Sequence, residues 1–167
     1  MIDPNTPEAY QDYRAKWGSG PFIACDSIVT RGPTKFNVKR DEWEILLIKR
    51  GKNPFKGMLA LPGGFMEPGD YSVVGGSIRE LEEETTLIVQ ERWALSTAIC
   101  DGRNRDPRAR VVGIVTHFHL PAEAPFAVKA ADDADEADWY NLSTVMGLGN
   151  GSLAFDHGDT IRRMLWE

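Results

Sequence analysis

Apolar residues come in short blocks separated by polar, glycine- and proline-containing stretches along most of the chain. Phe22-Ile23-Ala24-Cys25-Asp26-Ser27-Ile28-Val29-Thr30 is apolar almost throughout and follows the breaker Gly18-Ser19-Gly20-Pro21, which predicts a buried strand. Residues 31–42 are polar and read as a hairpin loop, and Glu44 to Arg50 as the returning strand. Val112, Ile114, Thr116 and Phe118 alternate within a further strand over 111–120. Shorter strands are expected over 87–90, 93–100 and 137–140, with loops over 101–108 and 121–135. From about Val73 to Thr86 the period changes to a helical one. A short amphipathic helix is expected over 7–17, through Tyr10, Tyr13 and Trp17, and a closing helix over 156–166. Strands interrupted by two or three helices predict an α+β fold.

The helix over 73–86 has an unusual polar side. At about 100° per residue, Glu80, Glu83 and Glu84 fall within about 100° of arc, with Ile78, Leu81 and Thr85 near the opposite side. Clustered carboxylates weaken a helix unless cations neutralise them. Oxygen-rich sets of this kind suit Mg²⁺ or Mn²⁺, ions that commonly serve phosphate chemistry. A glycine loop, Leu61-Pro62-Gly63-Gly64-Phe65-Met66-Glu67-Pro68-Gly69-Asp70, precedes the helix.

These segments together resemble the Nudix box, a glycine loop followed by Arg-Glu-aliphatic-x-Glu-Glu. Arg79, Glu80, Leu81, Glu83, Glu84 and Leu87 sit in register with its second half. The chain departs from the pattern in three places. Asp70 replaces the usual Glu, Thr86 stands where Gly is usual, and eight residues instead of seven separate Asp70 from Arg79. Gly75 and Gly76 lie in that longer stretch, and each costs a helix up to about 1 kcal/mol relative to Ala. A late or distorted helix start capped by Asp70 or Ser72 is therefore expected.

The resemblance implies the Nudix fold, a mixed sheet sandwiched between helices (α/β/α), over one domain at residues 21–167 behind an extension at 1–20. It implies hydrolysis of a nucleoside diphosphate linked to another moiety. Arg79, Glu80, Glu83 and Glu84 would be catalytic, with Glu80, Glu83, Glu84 and the Gly64 carbonyl around Mg²⁺ or Mn²⁺. Arg79 would orient Glu84 or Asp70 through an ion pair. The general base is left between Glu80 and a later acid among Asp132, Asp133, Asp135 and Glu136, whose other reading is a solvated loop.

Three outer segments narrow the resemblance to the Nudix branch tied to NAD turnover: Lys49 to Gly57, Arg105 to Val112, and Asp132 to Trp139 with Leu153 to His157. That branch implies ADP-ribose as substrate, cleaved to AMP and ribose 5-phosphate. Gly63, Gly64, Arg50, Arg105, Arg108 and Arg110 are candidate substrate contacts, the arginines through forked bonds to phosphate or ribose oxygens. The run Arg105-Asp106-Pro107-Arg108 reads equally as a self-paired loop. Phe55 is the candidate for stacking on adenine, with Phe22 and Phe118 as alternatives. His157 reads as a structural tether of the last helix.

Composition adds bounds. At 167 residues the chain is the size of one domain, and 42% hydrophobic and 26% charged residues are ordinary for a globular protein. A net charge of −6 argues against a general nucleic-acid binder. Cys25 and Cys100 are too few for a disulfide framework and read as reduced core residues of a cytoplasmic protein. The start Met-Ile-Asp-Pro-Asn-Thr-Pro has neither the basic nor the apolar run of a leader, and no stretch reaches membrane-spanning length. The expected partner is a small nucleotide, with neither nucleic acid nor membrane, and a homodimer is left open. Two alternatives remain: a Nudix hydrolase of an oxidised dNTP, NADH or a dinucleoside polyphosphate, and a non-catalytic ADP-ribose sensor.

Overall fold

The computed structural model describes residues 3–12, 15, 21–33, 42–121, 126–149 and 151–166. Among the described residues there are seven strands: β1 (Phe22–Gly32), β2 (Glu44–Arg50), β3 (Leu59–Ala60), β4 (Gly63–Phe65), β5 (Ala94–Cys100), β6 (Val111–Pro121) and β7 (Ala134–Asn141). The helices are α1 (Val73–Thr85), α2 (Leu142–Met146) and α3 (His157–Leu165). The sheet runs β3-β2-β1-β6-β5, with β4 added to β1 and β7 to β2. β1 and β6 pair in parallel, from Phe22 opposite Val111 to Gly32 opposite Pro121, and the other pairings are antiparallel.

Alternation along the strands splits the core into two layers. Ile28, Ile45, Leu47 and Val115 pack against Leu142 and Val145 of α2 and Ile161 and Leu165 of α3. Val29, Leu46, Phe118 and Leu120 face the other way, against Leu81 of α1 and Leu87 and Val89 beyond it. The mixed sheet thus lies between helices on both faces, the sandwich expected from the sequence.

Helix α1 carries the three clustered carboxylates, and its position is set by small residues. Ser72 caps it, its hydroxyl accepting from Gly75 N at 3.0 Å. A Cβ on Gly76 would lie 2.9 Å from Cys25 Sγ and 3.0 Å from Asp70 Oδ2, so glycine lets the helix lie close on β1. At its far end Thr86 adopts the left-handed conformation, φ 58°, where glycine is usual.

Several expectations need correction. Residues 87–90 do not join the sheet: Leu87 and Val89 serve as core anchors, and a 3-10 turn (Glu91–Trp93) precedes β5. β7 begins at Ala134, so Asp135 and Glu136 belong to a strand rather than a loop. Near the N-terminus a 3-10 turn (Pro7–Tyr10) leads into helical Gln11, Asp12 and Ala15, within the helix expected there, while Tyr13 and Trp17 lie outside the described residues. Most of the expected hairpin loop over 31–42 also lies outside them, and β1 continues to Gly32. Cys25 and Cys100 are free and buried, as expected. No described helix is long and apolar enough to cross a membrane.

Candidate active site

The turn out of β4 and the exposed side of α1 meet at Arg79. Its Nε and Nη2 donate to the two oxygens of Asp70 at 2.8 and 2.9 Å. Nη1 donates to Glu80 Oε1 at 2.8 Å and Glu83 Oε2 at 3.0 Å, and Nη2 also donates to the Phe65 carbonyl at 3.1 Å. Arg79 therefore pairs with Asp70, one of the two expected partners, and with Glu80 and Glu83, but not with Glu84. The reason is burial: Glu84 is 5% exposed and its Oε2 accepts from Gly63 N at 2.9 Å.

Electrostatics separates these carboxylates. Arg79 holds Asp70 below the usual carboxylate range. Burial raises Glu80, with Arg79 opposing the shift. Burial pushes Glu84 up to about 8, the Gly63 amide opposing and the Glu80 charge adding. Two clustered acids with raised pKa values mark a place prepared for positive charge.

The donor set fits a divalent cation. It consists of hard oxygens only, and Glu80 lies so close to the glycine loop that a Cβ on Gly64 would sit 2.5 Å from both carboxylate oxygens. Among the described residues, no three His, Cys, Asp or Glu side chains are already gathered as a finished cage, since Arg79 holds Glu80 and Glu83. A cavity of about 230 Å³ joins Glu80, Glu83, Glu84 and Arg79 with Gly63, Gly64, Arg50 and Arg108. Asp132 and Asp133 also line it, and Asp133 pairs with Lys52. Glu136 turns to Lys49 at 2.8 Å and is not among its lining residues.

The candidate substrate contacts fall into two groups. Arg50 and Arg108 reach the acidic cavity. Arg50 Nε donates to the Pro54 carbonyl at 2.8 Å, and its guanidinium lies 5.0 Å from the Phe155 ring centroid. Arg108 forks onto Asp106 through Nε at 3.1 Å and Nη2 at 2.8 Å, the self-paired loop read from the sequence, and lies 4.7 Å from the Phe65 centroid. Arg105 grips Asp156 at 3.0 and 2.8 Å, and Arg110 donates to the Asp101 and Gly102 carbonyls. Arg105, Arg110 and Phe55 line a second cavity of about 930 Å³. Phe118 belongs to the core, and Phe22 packs on Phe65 with centroids 5.8 Å apart.

His157 is structural, as read. It is buried, its Nδ1 accepts from Leu61 N at 3.0 Å, and burial depresses its pKa to about 3. Asp26 was not picked out from the sequence, and Glu67 and Phe155 were read only as members of the glycine loop and of the segment Leu153 to His157. Glu67 lines the acidic cavity, and Asp26 and Phe155 line a small void beside it. For Asp26 a signal was present, an ionisable residue inside an otherwise apolar strand.

The NUDIX domain family matches residues 32–164. The chain belongs to the Nudix family. It is 37% identical over 148 residues to an ADP-ribose pyrophosphatase of Methanocaldococcus jannaschii, covering 88% of this Nudix chain and 75% of the relative. It is 29% identical over 129 residues to the ADPR responsive transcriptional repressor NtrR of Acinetobacter baylyi, covering 77% of the chain and 49% of the repressor. A solved structure of a bifunctional NMN adenylyltransferase/ADP ribose pyrophosphatase from Francisella tularensis, complexed with AMP and a Mn ion, superposes with a TM-score of 0.76 at 26% identity. That match covers 98% of this chain and 46% of the bifunctional protein, so the Nudix chain spans about half the length of two of these three relatives.

Proposed function

We propose that this Nudix protein is a divalent-metal-dependent pyrophosphohydrolase that cleaves ADP-ribose and water to AMP and ribose 5-phosphate. The observation that carries the reading is the continuity of the site. The acidic cavity shares Arg50, Gly63, Gly64 and Arg108 with a small void, and the void shares Arg105 and Asp106 with the cavity of about 930 Å³. Carboxylates, guanidinium groups and a space of nucleoside size thus follow one another. The identity to an ADP-ribose pyrophosphatase supports this choice of substrate.

Glu80, Glu83, Glu84 and the Gly64 carbonyl would hold Mg²⁺ or Mn²⁺, which when bound neutralises phosphate oxygens and acidifies water. Arg79 fixes the carboxylates, and Arg50 and Arg108 are placed to take phosphate oxygens. The proton of the attacking water passes to Glu80 or to Asp132 or Asp133, while a P–O bond of the pyrophosphate breaks. Asp132 and Asp133 line the acidic cavity and Asp135 and Glu136 do not, which favours the first two over the second two as bases. The buried free cysteines favour a reducing, cytoplasmic setting, and the net charge of −6 favours a small ligand over nucleic acid.

A second reading, an ADP-ribose sensor without turnover, is favoured by the identity to the repressor. Turnover with Mg²⁺ and with Mn²⁺ across ADP-ribose, NAD⁺, NADH, 8-oxo-dGTP and diadenosine polyphosphates decides between them. Release of AMP from ADP-ribose is expected. Faster turnover of another member would replace the substrate, and saturable ADP-ribose binding with no turnover of any member would establish the sensor.

A further inference from the structure

Asp26 lies in the middle of β1, 6% exposed, and its Oδ2 is buried with no hydrogen-bond partner. The other side of the carboxylate is closed, because Asp26 sits directly against Gly63 on the paired strand β4. The nearest cation is Arg105, at 4.0 Å from Oδ2 and too far for a hydrogen bond. Arg105 is engaged instead by Asp156, as Arg108 is by Asp106, so neither neighbour turns its fork to Asp26. Arg105 offsets part of the cost of burying this carboxylate through charge alone, and leaves the hydrogen-bonding capacity of Oδ2 unused.

Asp26 borders a void of about 30 Å³, whose other charged and polar side chains are Asp106, Arg50, Arg105, Arg108 and His157. A water needs at least about 10–15 Å³, so the void admits a group of oxygen size and little more. Its lining selects the group further. Three arginines repel a metal cation, and the two carboxylates, Asp26 and Asp106, disfavour a phosphate oxygen. A neutral donor satisfies both, and the small neutral donor that a ribosyl nucleotide carries is a sugar hydroxyl. The void shares Gly63, Gly64, Arg50 and Arg108 with the acidic cavity, so a ribose bound next to the pyrophosphate lies within reach.

We infer that Asp26 is a specificity-determining residue whose free oxygen accepts a hydrogen bond from a ribosyl hydroxyl of the substrate, displacing a water from the void. This deepens the ADP-ribose reading and rests on it.

The test is equilibrium binding by calorimetry in EDTA, which removes turnover. ADP-ribose and analogues each lacking one ribosyl hydroxyl are titrated into the wild type, Asp26→Ala and Asp26→Asn, with melting curves to confirm folding. A hydroxyl bonded to a carboxylate predicts that one analogue binds the wild type about tenfold more weakly than ADP-ribose. In Asp26→Ala that difference shrinks to under twofold, because ADP-ribose falls to the affinity of the deoxy analogue. Asp26→Asn, which keeps the shape and a neutral acceptor, lies between. Equal discrimination in all three proteins, or no discrimination by the wild type, overturns the inference and leaves Asp26 holding a fixed water. Absence of ADP-ribose binding to the wild type in EDTA, together with no AMP release when Mg²⁺ or Mn²⁺ is added, overturns instead the substrate reading on which it stands.

Discussion

Arg79 takes both oxygens of Asp70 in a fork, at 2.8 and 2.9 Å, and so ties the end of the glycine loop to helix α1. The fork couples the position of the loop to that of Glu80 and Glu83. Lysine keeps the charge but presents one point donor, so it cannot hold three carboxylates at once. Arg79→Lys is expected to lower kcat about 10–100-fold, the scale of small misplacements at a reacting centre, with a smaller effect on KM. Steady-state kinetics with parallel melting curves checks this, and activity within twofold of wild type would remove Arg79 from the machinery.

Glu83 is the most exposed of the three helix carboxylates, with its side chain 46% accessible. Glu83→Gln removes charge without changing shape or burial. The expected result is an intact fold with turnover reduced by orders of magnitude. Near-normal kcat would sink the assignment of Glu83 to the metal.

Gly64 is where backbone and carboxylate nearly touch. The added methyl of Gly64→Ala would lie 2.5 Å from both Glu80 oxygens and must push the side chain away. At least a tenfold loss of Mn²⁺ affinity is expected, read by the EPR signal of free Mn²⁺. Unchanged affinity would detach the Gly64–Glu80 contact from metal binding.

The acids also predict a pH dependence. Burial raises Glu84 from the ordinary 4.5 to about 8 in the folded, metal-free protein. A raised carboxylate contributes stability below pH 4.5 and loses it as pH rises through 8. His157 has the opposite sign, since its depressed pKa of about 3 costs stability as pH falls from 6.5. Above pH 6.5 the Glu84 effect therefore stands apart. In EDTA, Tm should fall between pH 6.5 and 8.5, and the fall should be smaller in Glu84→Gln. Equal slopes in the two proteins would show that Glu84 ionises normally.

Thr86 ends α1 in a left-handed conformation at φ 58°, unfavourable for a β-branched residue. Thr86→Gly is expected to raise stability by about 1 kcal/mol, with kcat unchanged because Thr86 is exposed beyond the carboxylates. Chemical denaturation measures it, and destabilisation would mean that the threonine side chain makes up for the strain.

The parts of the site carried by one helix were legible in the sequence, because a 3.6-residue period fixes which side chains share a face. Glu80, Glu83 and Glu84 belong to this class. So does the two-layer core, which follows from alternation in β1, β2 and β6. The ion-pair partners were legible only in part. Arg79 had four acids within reach along the chain, and the choice among them depends on burial of Glu84 against Gly63, a tertiary fact. Arg105 pairs with Asp156, and no local pattern announces a partner 51 positions away. Leu87 to Gln90 misled for a related reason: alternating apolar residues that cap a helix layer look the same in sequence as a strand. Asp26 was visible as a charge in an apolar run, but its free oxygen exists only where β1, Arg105 and the glycine loop converge.

The glycine loop is hydrogen-bonded to β1, and β1 is zipped in parallel to β6 along its whole length. Partners such as Cys25 and Ile114 are far apart in the chain, so neither strand can open alone without breaking a ladder that spans most of the fold. In hydrogen–deuterium exchange the amides of 24–30 and 113–119 should be the slowest of the molecule, exchanging through global unfolding, while those of the Asp101–Arg108 loop should exchange through local openings. The floor of the site should thus outlast the loop that carries Arg105 and Arg108, which is held through their ion pairs with Asp156 and Asp106.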